Sequence, residues 1–139
     1  MTRNFLYENI GSTKNFYWYE ALYQNRWKTH VIPPDYVLKN ILKTAQKAQM
    51  IRNFLQLPML VTSWYRVPAY NVMIGGAEES AHTEGKGLDF MCPNLRADEV
   101  RKRLKPKLKE FDIRMENLPG ASWVHVDWKP VGTARFFRP

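Results

Sequence analysis

One cysteine, Cys92, is present in the whole sequence, so an internal disulfide and a thiolate zinc site are both excluded. No stretch of about 18 apolar residues occurs, which removes a membrane-spanning helix. The opening MTRNFLYENIGSTKNFYWYE carries no apolar block of signal-peptide length. The chain is therefore expected to be soluble and made in the cytoplasm without an export signal of its own. Repeats and low-complexity tracts are lacking too. Histidine is scarce, with three in the chain, and acid is outnumbered: 13 Asp and Glu face 21 Lys and Arg, for a net charge of +8.

What is there is globular. Apolar residues make up 45% of the 139 and aromatics 14%, a composition that supports a packed core. The length predicts a single domain spanning residues 1–139, able to bury about two-thirds of its unfolded surface. The positive charge is concentrated between Arg96 and Glu110 and in the tail from Lys129 to Pro139. Such a surface suits polyanions, whether nucleic acid, anionic lipid or an anionic wall polymer, and it also suits a solvated helix face. No nucleic-acid-binding motif accompanies it, so no specific nucleic acid is expected.

Residues 1–30 are aromatic and polar, with Phe16, Tyr17, Trp18, Tyr19, Tyr23 and Trp27 close together. They are expected to form a loop or short helix packed on the body. Aromatic faces of this kind also stack on bases or sugars. PPDYVLKNILKTAQKAQMIRNFL predicts a helix, because Val37, Ile41, Leu42, Ala45, Ala48 and Ile51 recur at helical spacing behind Pro34 and Asp35. Met59 to Tyr65 reads as a buried strand ended by VPAYN, with a loop from Asn71 onward. GLDFM is a short strand, and PNLRADEVRKRLKPKLKEF a second helix that Pro106 kinks or breaks. DIRMENL and ASWVHVDW predict two antiparallel strands joined at Pro119-Gly120. The expected fold is α+β, a small mostly antiparallel sheet flanked by helices.

Two stretches carry chemistry. ESAHTEGKGLDF places His82 and Asp89 at either end of a turn containing Gly85 and Gly87. In WVHVDW, strand alternation puts Trp123, His125 and Asp127 on one face and the core valines Val124 and Val126 on the other. Two imidazoles and a carboxylate form a donor set for catalytic zinc, with a fourth position left to water. A lone histidine would instead read as structural. It is the pairing of His125 with His82 and Asp89 that favours the metal.

Ser80 to Asp89 resembles the S-x-H-x-x-G-x-A-x-D motif of the zinc D-Ala-D-Ala carboxypeptidase family, with Gly87 where alanine is usual. SWYR, Ser63 to Arg66, resembles the S-x-Y-R that precedes the family's first ligand, and WVHVD its last-ligand strand. These matches fall in order over residues 60–128, and the whole chain is similar to small bacteriophage-encoded, endolysin-like members. The resemblance implies a hedgehog/DD-peptidase-like fold and one Zn²⁺ per chain held by His82, Asp89 and His125. It also implies that Arg66 binds a substrate carbonyl or carboxylate and that Ser80 and Trp123 line the substrate site. Many relatives carry a general-base carboxylate three residues before the last histidine, and Ser122 stands there. With Pro119-Gly120 as the turn, Glu116 is expected opposite Trp123, on the face of His125. Glu116 ranks first as general base. Asp127 is the alternative, with a second role in orienting a ligand or Arg66.

The leading expectation is a monomeric zinc metallopeptidase that cleaves D-amino-acid-containing bonds in peptidoglycan stem peptides and reaches the wall as a lysin does. The alternative is a non-catalytic, zinc-stabilised module that binds the wall or a virion partner.

Overall fold

The computed structural model describes residues 3–139, so the first two positions of the expected domain and of its aromatic segment lie outside it. A 3-10 turn at Arg3–Tyr7 leads to α1 (Trp18–Leu22) and a hairpin of β1 (Tyr23–Gln24) and β2 (Thr29–His30). The long helix α2 (Asp35–Leu55) follows, beginning after Pro34 as the sequence predicts. Its buried residues Val37, Leu38, Ile41, Ala45, Ala48, Ile51 and Leu55 make one apolar stripe. The helix ends where Gln56 turns left-handed and returns its N–H to the Arg52 carbonyl.

The main sheet has five strands: β3 (Leu60–Ser63), β4 (Gly87–Met91), β5 (Arg114–Glu116), β6 (Val124–Asp127) and β7 (Phe136–Phe137), in the order β3-β4-β6-β5-β7. All neighbours pair antiparallel except β5 and β7, which run parallel. Between strands lie α3 (Pro68–Met73), a 3-10 turn at Ala81–Glu84, α4 (Ala97–Leu104), a 3-10 link at Lys105–Lys107 and α5 (Leu108–Phe111). The second predicted helix is thus broken at Pro106. Pleating sorts the sheet's residues by face. Leu88, Phe90, Met115, Val124 and Val126 are buried in one core cluster with the inner residues of α2 and α4 and with Ile10, Phe16 and Trp18 from the aromatic segment.

Three expectations need correction. The strand after Met59 is a half-exposed sheet edge, with Leu60 54% accessible, because it pairs with β4 on one side alone. VPAYN opens a helix: Pro68 occupies the first turn of α3, where a missing N–H costs nothing. The third concerns register. Arg114 lies opposite Asp127 and Met115 opposite Val126, so one step further along Glu116 faces His125 rather than Trp123. The connection from 117 to 123 is longer than a two-residue turn, and it keeps Trp123 out of β6.

Candidate metal centre

Register alone brings most of the polar residues together. Ser63 pairs with Asp89 and Asp89 with His125, while Gly87 pairs with Asp127 and Asp127 with Arg114. Directly opposed residues share a face, so a polar row crosses the sheet on the side away from the core.

His82 joins from the loop. The Ser80 hydroxyl accepts a hydrogen bond from the His82 N–H at 3.2 Å and caps the 3-10 turn. Gly85 ends that turn at φ +74°, where a Cβ would lie 2.9 Å from Ile41 Cγ1 and 3.1 Å from the Val37 carbonyl of α2. Both the conformation and the space call for glycine. Gly87 matters for a different reason. Its Cβ would stand 3.2 Å from His125 Cε1 and 3.0 Å from Ala81 Cβ, so the strand and the loop meet across it.

His82 Nδ1 lies 2.6 Å from the Trp64 carbonyl and must donate to it. That fixes the tautomer and turns Nε2 toward Asp89 Oδ1, 3.2 Å away. His125 Nδ1 is 2.8 Å from the same carboxylate oxygen, and its Nε2 is 2.8 Å from Asp127 Oδ2. One ligand atom from each of His82, Asp89 and His125 lies within 4.8 Å of the others, and all three residues are buried. Arg66 Nη2 approaches Asp89 Oδ2 at 3.6 Å. Its guanidinium is aimed by hydrogen bonds to Ser63 Oγ and Asn71 Oδ1.

The two further carboxylates differ sharply. Asp127 accepts from Arg114 Nε at 2.7 Å, Arg114 Nη2 at 2.9 Å, His125 Nε2 and the Lys129 N–H at 3.1 Å. Its side chain is 1% exposed and its oxygens are fully engaged. Glu116 Oε1 lies 3.9 Å from His125 Nε2, beyond hydrogen-bond distance, with its side chain 21% exposed. Among the described residues it has no hydrogen-bond donor.

The charges follow from these contacts. Burial works to raise the Asp89 carboxyl, but the His82 charge and hydrogen bonds to His125 and His82 hold it well below the usual range. Burial likewise opposes ionisation at Asp127, and bonds from His125 and Arg114 bring it down to about 2. His125 is pushed up to about 10: desolvation disfavours its charge, and hydrogen bonds to Asp127 and Asp89 outweigh that. Without metal the site is a carboxylate–imidazolium cluster.

The donor chemistry fits Zn²⁺. Two neutral-capable imidazoles and one ionised carboxylate converge, and each imidazole's other nitrogen has an acceptor, the Trp64 carbonyl or Asp127, as zinc-binding histidines require. The cluster sits in a cleft of about 640 Å³ that also exposes Arg66, Ser80, Glu116 and Trp123. Arg114 is the member that sequence reasoning missed. Its alternation with Glu116 in Arg-Met-Glu is the signal that places both on the face of His125.

A histidine–aspartate–histidine centre on a small, mostly antiparallel sheet, with a guanidinium and a carboxylate free of hydrogen bonds beside it, defines a metallopeptidase-type site. The chain matches the Peptidase M15 family over residues 14–127 and belongs to it. This is the family of the zinc D-Ala-D-Ala carboxypeptidases, zinc peptidases that act on peptidoglycan-type substrates. A comparison with curated proteins finds no match. Strand β7 lies beyond the matched residues.

Proposed function

We propose that this protein hydrolyses peptide bonds formed by D-amino acids in peptidoglycan stem peptides, as a lysin-like wall peptidase. The observation that carries the reading is the convergence of His82, Asp89 and His125 beside a carboxylate, Glu116, that accepts no hydrogen bond among the described residues and lies 3.9 Å from His125 Nε2. His82, Asp89 and His125 would hold one Zn²⁺. When bound, the ion supplies Lewis-acid chemistry, acidifying a water and polarising the scissile carbonyl.

The remaining steps belong to the chain. Glu116 accepts the proton of the attacking water and hands it to the departing nitrogen as the C–N bond breaks. Its position on the His125 row, without a competing hydrogen bond, suits a group that must both take and give. Arg66 offers N–H donors to the substrate's carbonyl or terminal carboxylate, where negative charge develops. Asp127 holds the Nε2–H of His125 and keeps the Nδ1 lone pair aimed at Asp89's side of the cluster. Ser80 and Trp123 border the substrate, Ser80 from the buried end and Trp123 from the exposed rim.

The test is zinc content together with the release of new amino termini and D-alanine from purified peptidoglycan. Full zinc occupancy with no product would overturn the peptidase reading and leave a zinc-stabilised binding module. Turbidity loss of wall suspensions tests the lysin-like role, and an active enzyme that leaves them intact would refute it.

A further inference from the structure

Two exposed tyrosines of the N-terminal segment, Tyr19 and Tyr23, have no task in the chemistry above, yet they border a second groove. It runs between α1, the β1–β2 hairpin and the open edge of β3, with a volume of about 420 Å³. That is within the range of small-ligand clefts. Tyr19, Tyr23, Asn25, His30, Thr62 and Ser63 line it, and Asn25, Thr62 and Ser63 also line the metal-centre cleft. The two spaces therefore adjoin, with these three residues as their common border.

The rings are buttressed rather than covered. Tyr19 stacks on Tyr17 with centroids 5.8 Å apart and planes at 19°, and Tyr23 leans on His30 at 5.0 Å. Even so, Tyr19 is 41% and Tyr23 38% exposed. Between them stand polar groups with capacity to spare. Asn25 Nδ2 uses one hydrogen on the Thr62 carbonyl at 2.9 Å, which leaves its other amide hydrogen and its Oδ1 for a ligand.

Aromatic faces beside amide and hydroxyl groups and the Glu20 carboxylate, which accepts the Tyr17 N–H at 3.0 Å, suit a ligand with apolar C–H faces and equatorial hydroxyl or amide groups, which describes a pyranose ring. No lysine or arginine lines the groove among the described residues, so a polyanion finds no counter-charge there. An added peptide strand fits poorly. The pairing of β3 slips between Val61 and Ser63, and the Thr62 carbonyl is already taken by Asn25. We infer that this groove is a glycan subsite that seats N-acetylated sugar rings of the wall polymer while their attached peptide enters the metal cleft. The sugar side of the substrate is thereby added to the peptidase reading, on which this inference rests for its biological role.

The probe is the tetramer of N-acetylglucosamine, which carries no peptide, titrated into zinc-free and zinc-loaded full-length protein and followed by NMR and calorimetry. Binding is expected in both forms, with perturbation of the Tyr19, Tyr23 and His30 signals. The double variant Tyr19→Ala/Tyr23→Ala should weaken it about tenfold or more, and Tyr19→Phe/Tyr23→Phe should stay within about twofold of wild type. On intact peptidoglycan the alanine pair should raise KM at unchanged kcat, while cleavage of a sugar-free stem peptide stays the same. Unchanged melting temperature shows that the variants fold. Absent tetramer binding, binding indifferent to the alanine pair, or displacement by sugar-free peptide each overturns the subsite. Tetramer binding with no cleavage of any substrate supports the subsite and overturns the peptidase reading alone.

Discussion

Arg114 and Asp127 form a two-pronged ion pair behind His125, with Nε 2.7 Å from Oδ1 and Nη2 2.9 Å from Oδ2. The pair holds the oxygen that receives the His125 Nε2–H. Replacing Arg114 with Met keeps much of the stem but strips the buried Asp127 of its guanidinium partner, leaving His125 to offset its charge. Zinc affinity should fall about 10–100-fold, as for other losses behind a metal ligand. Global stability should drop by roughly 3 kcal/mol. Chelator competition and urea denaturation read the two effects separately.

Glu116→Gln and Asp127→Asn should part company. The glutamine keeps shape and polarity but cannot take a proton, so zinc stoichiometry should hold while kcat falls about 10²–10⁴-fold. The asparagine weakens the grip on His125, so zinc should be lost at concentrations that saturate the wild type. Metal analysis alongside peptide hydrolysis decides between them. Full activity in Glu116→Gln would refute its assignment as base.

Zinc binding should release a proton from His125. In the metal-free protein that group is raised from 6.5 to about 10, so at neutral pH the metal must displace its proton. Affinity should then rise about tenfold per pH unit up to that value. Calorimetry in buffers of different ionisation enthalpy counts the proton.

The same groups set the stability of the metal-free protein. The raised His125 stabilises fully below its ordinary 6.5, and that contribution fades as pH climbs through about 10. Asp127, lowered from 3.8 to about 2, stabilises above 3.8 and loses that effect as pH falls through 2. Their combined contribution is greatest between 3.8 and 6.5. Melting temperature against pH, with chelator present, should show that plateau.

Gly85→Ala should disturb the centre without touching a ligand. The residue sits at φ +74° with a side chain's space already filled by Ile41 and Val37. The strain is on the order of 1–3 kcal/mol. Part of it should appear as displacement of the His82 turn, read as a lower melting temperature and weaker zinc retention.

Legibility in the sequence followed locality. His82 and Asp89 belong to one turn and one strand, so the Ser80–Asp89 pattern exposed them together, and the Val124/Val126 alternation put His125 on the opposite face. Helix α2 was readable because its stripe and its start lie within one segment. What failed was set by distant pairing. The hairpin register depended on how much of the 117–123 connection is turn, and Pro119-Gly120 alone suggested too tight a loop. Whether β3 is an edge depends on what flanks it, which no residue within it reports. Arg114 escaped notice because its meaning comes from Asp127, opposite it in space and 13 positions away. Strand β7, parallel to β5, had no short turn to announce it.

That last strand has a practical bearing on where this protein can be cut. The Met115 N–H bonds to the Arg135 carbonyl at 2.7 Å, and the Phe137 ring lies 4.1 Å from the Arg114 guanidinium. A boundary drawn at residue 127, where the family match stops, would retain His82, Asp89, His125 and the proposed base Glu116. It would also strip β5 of its outer neighbour and Arg114 of its aromatic cover. The minimal peptidase and the minimal set of peptidase residues are therefore different lengths of chain.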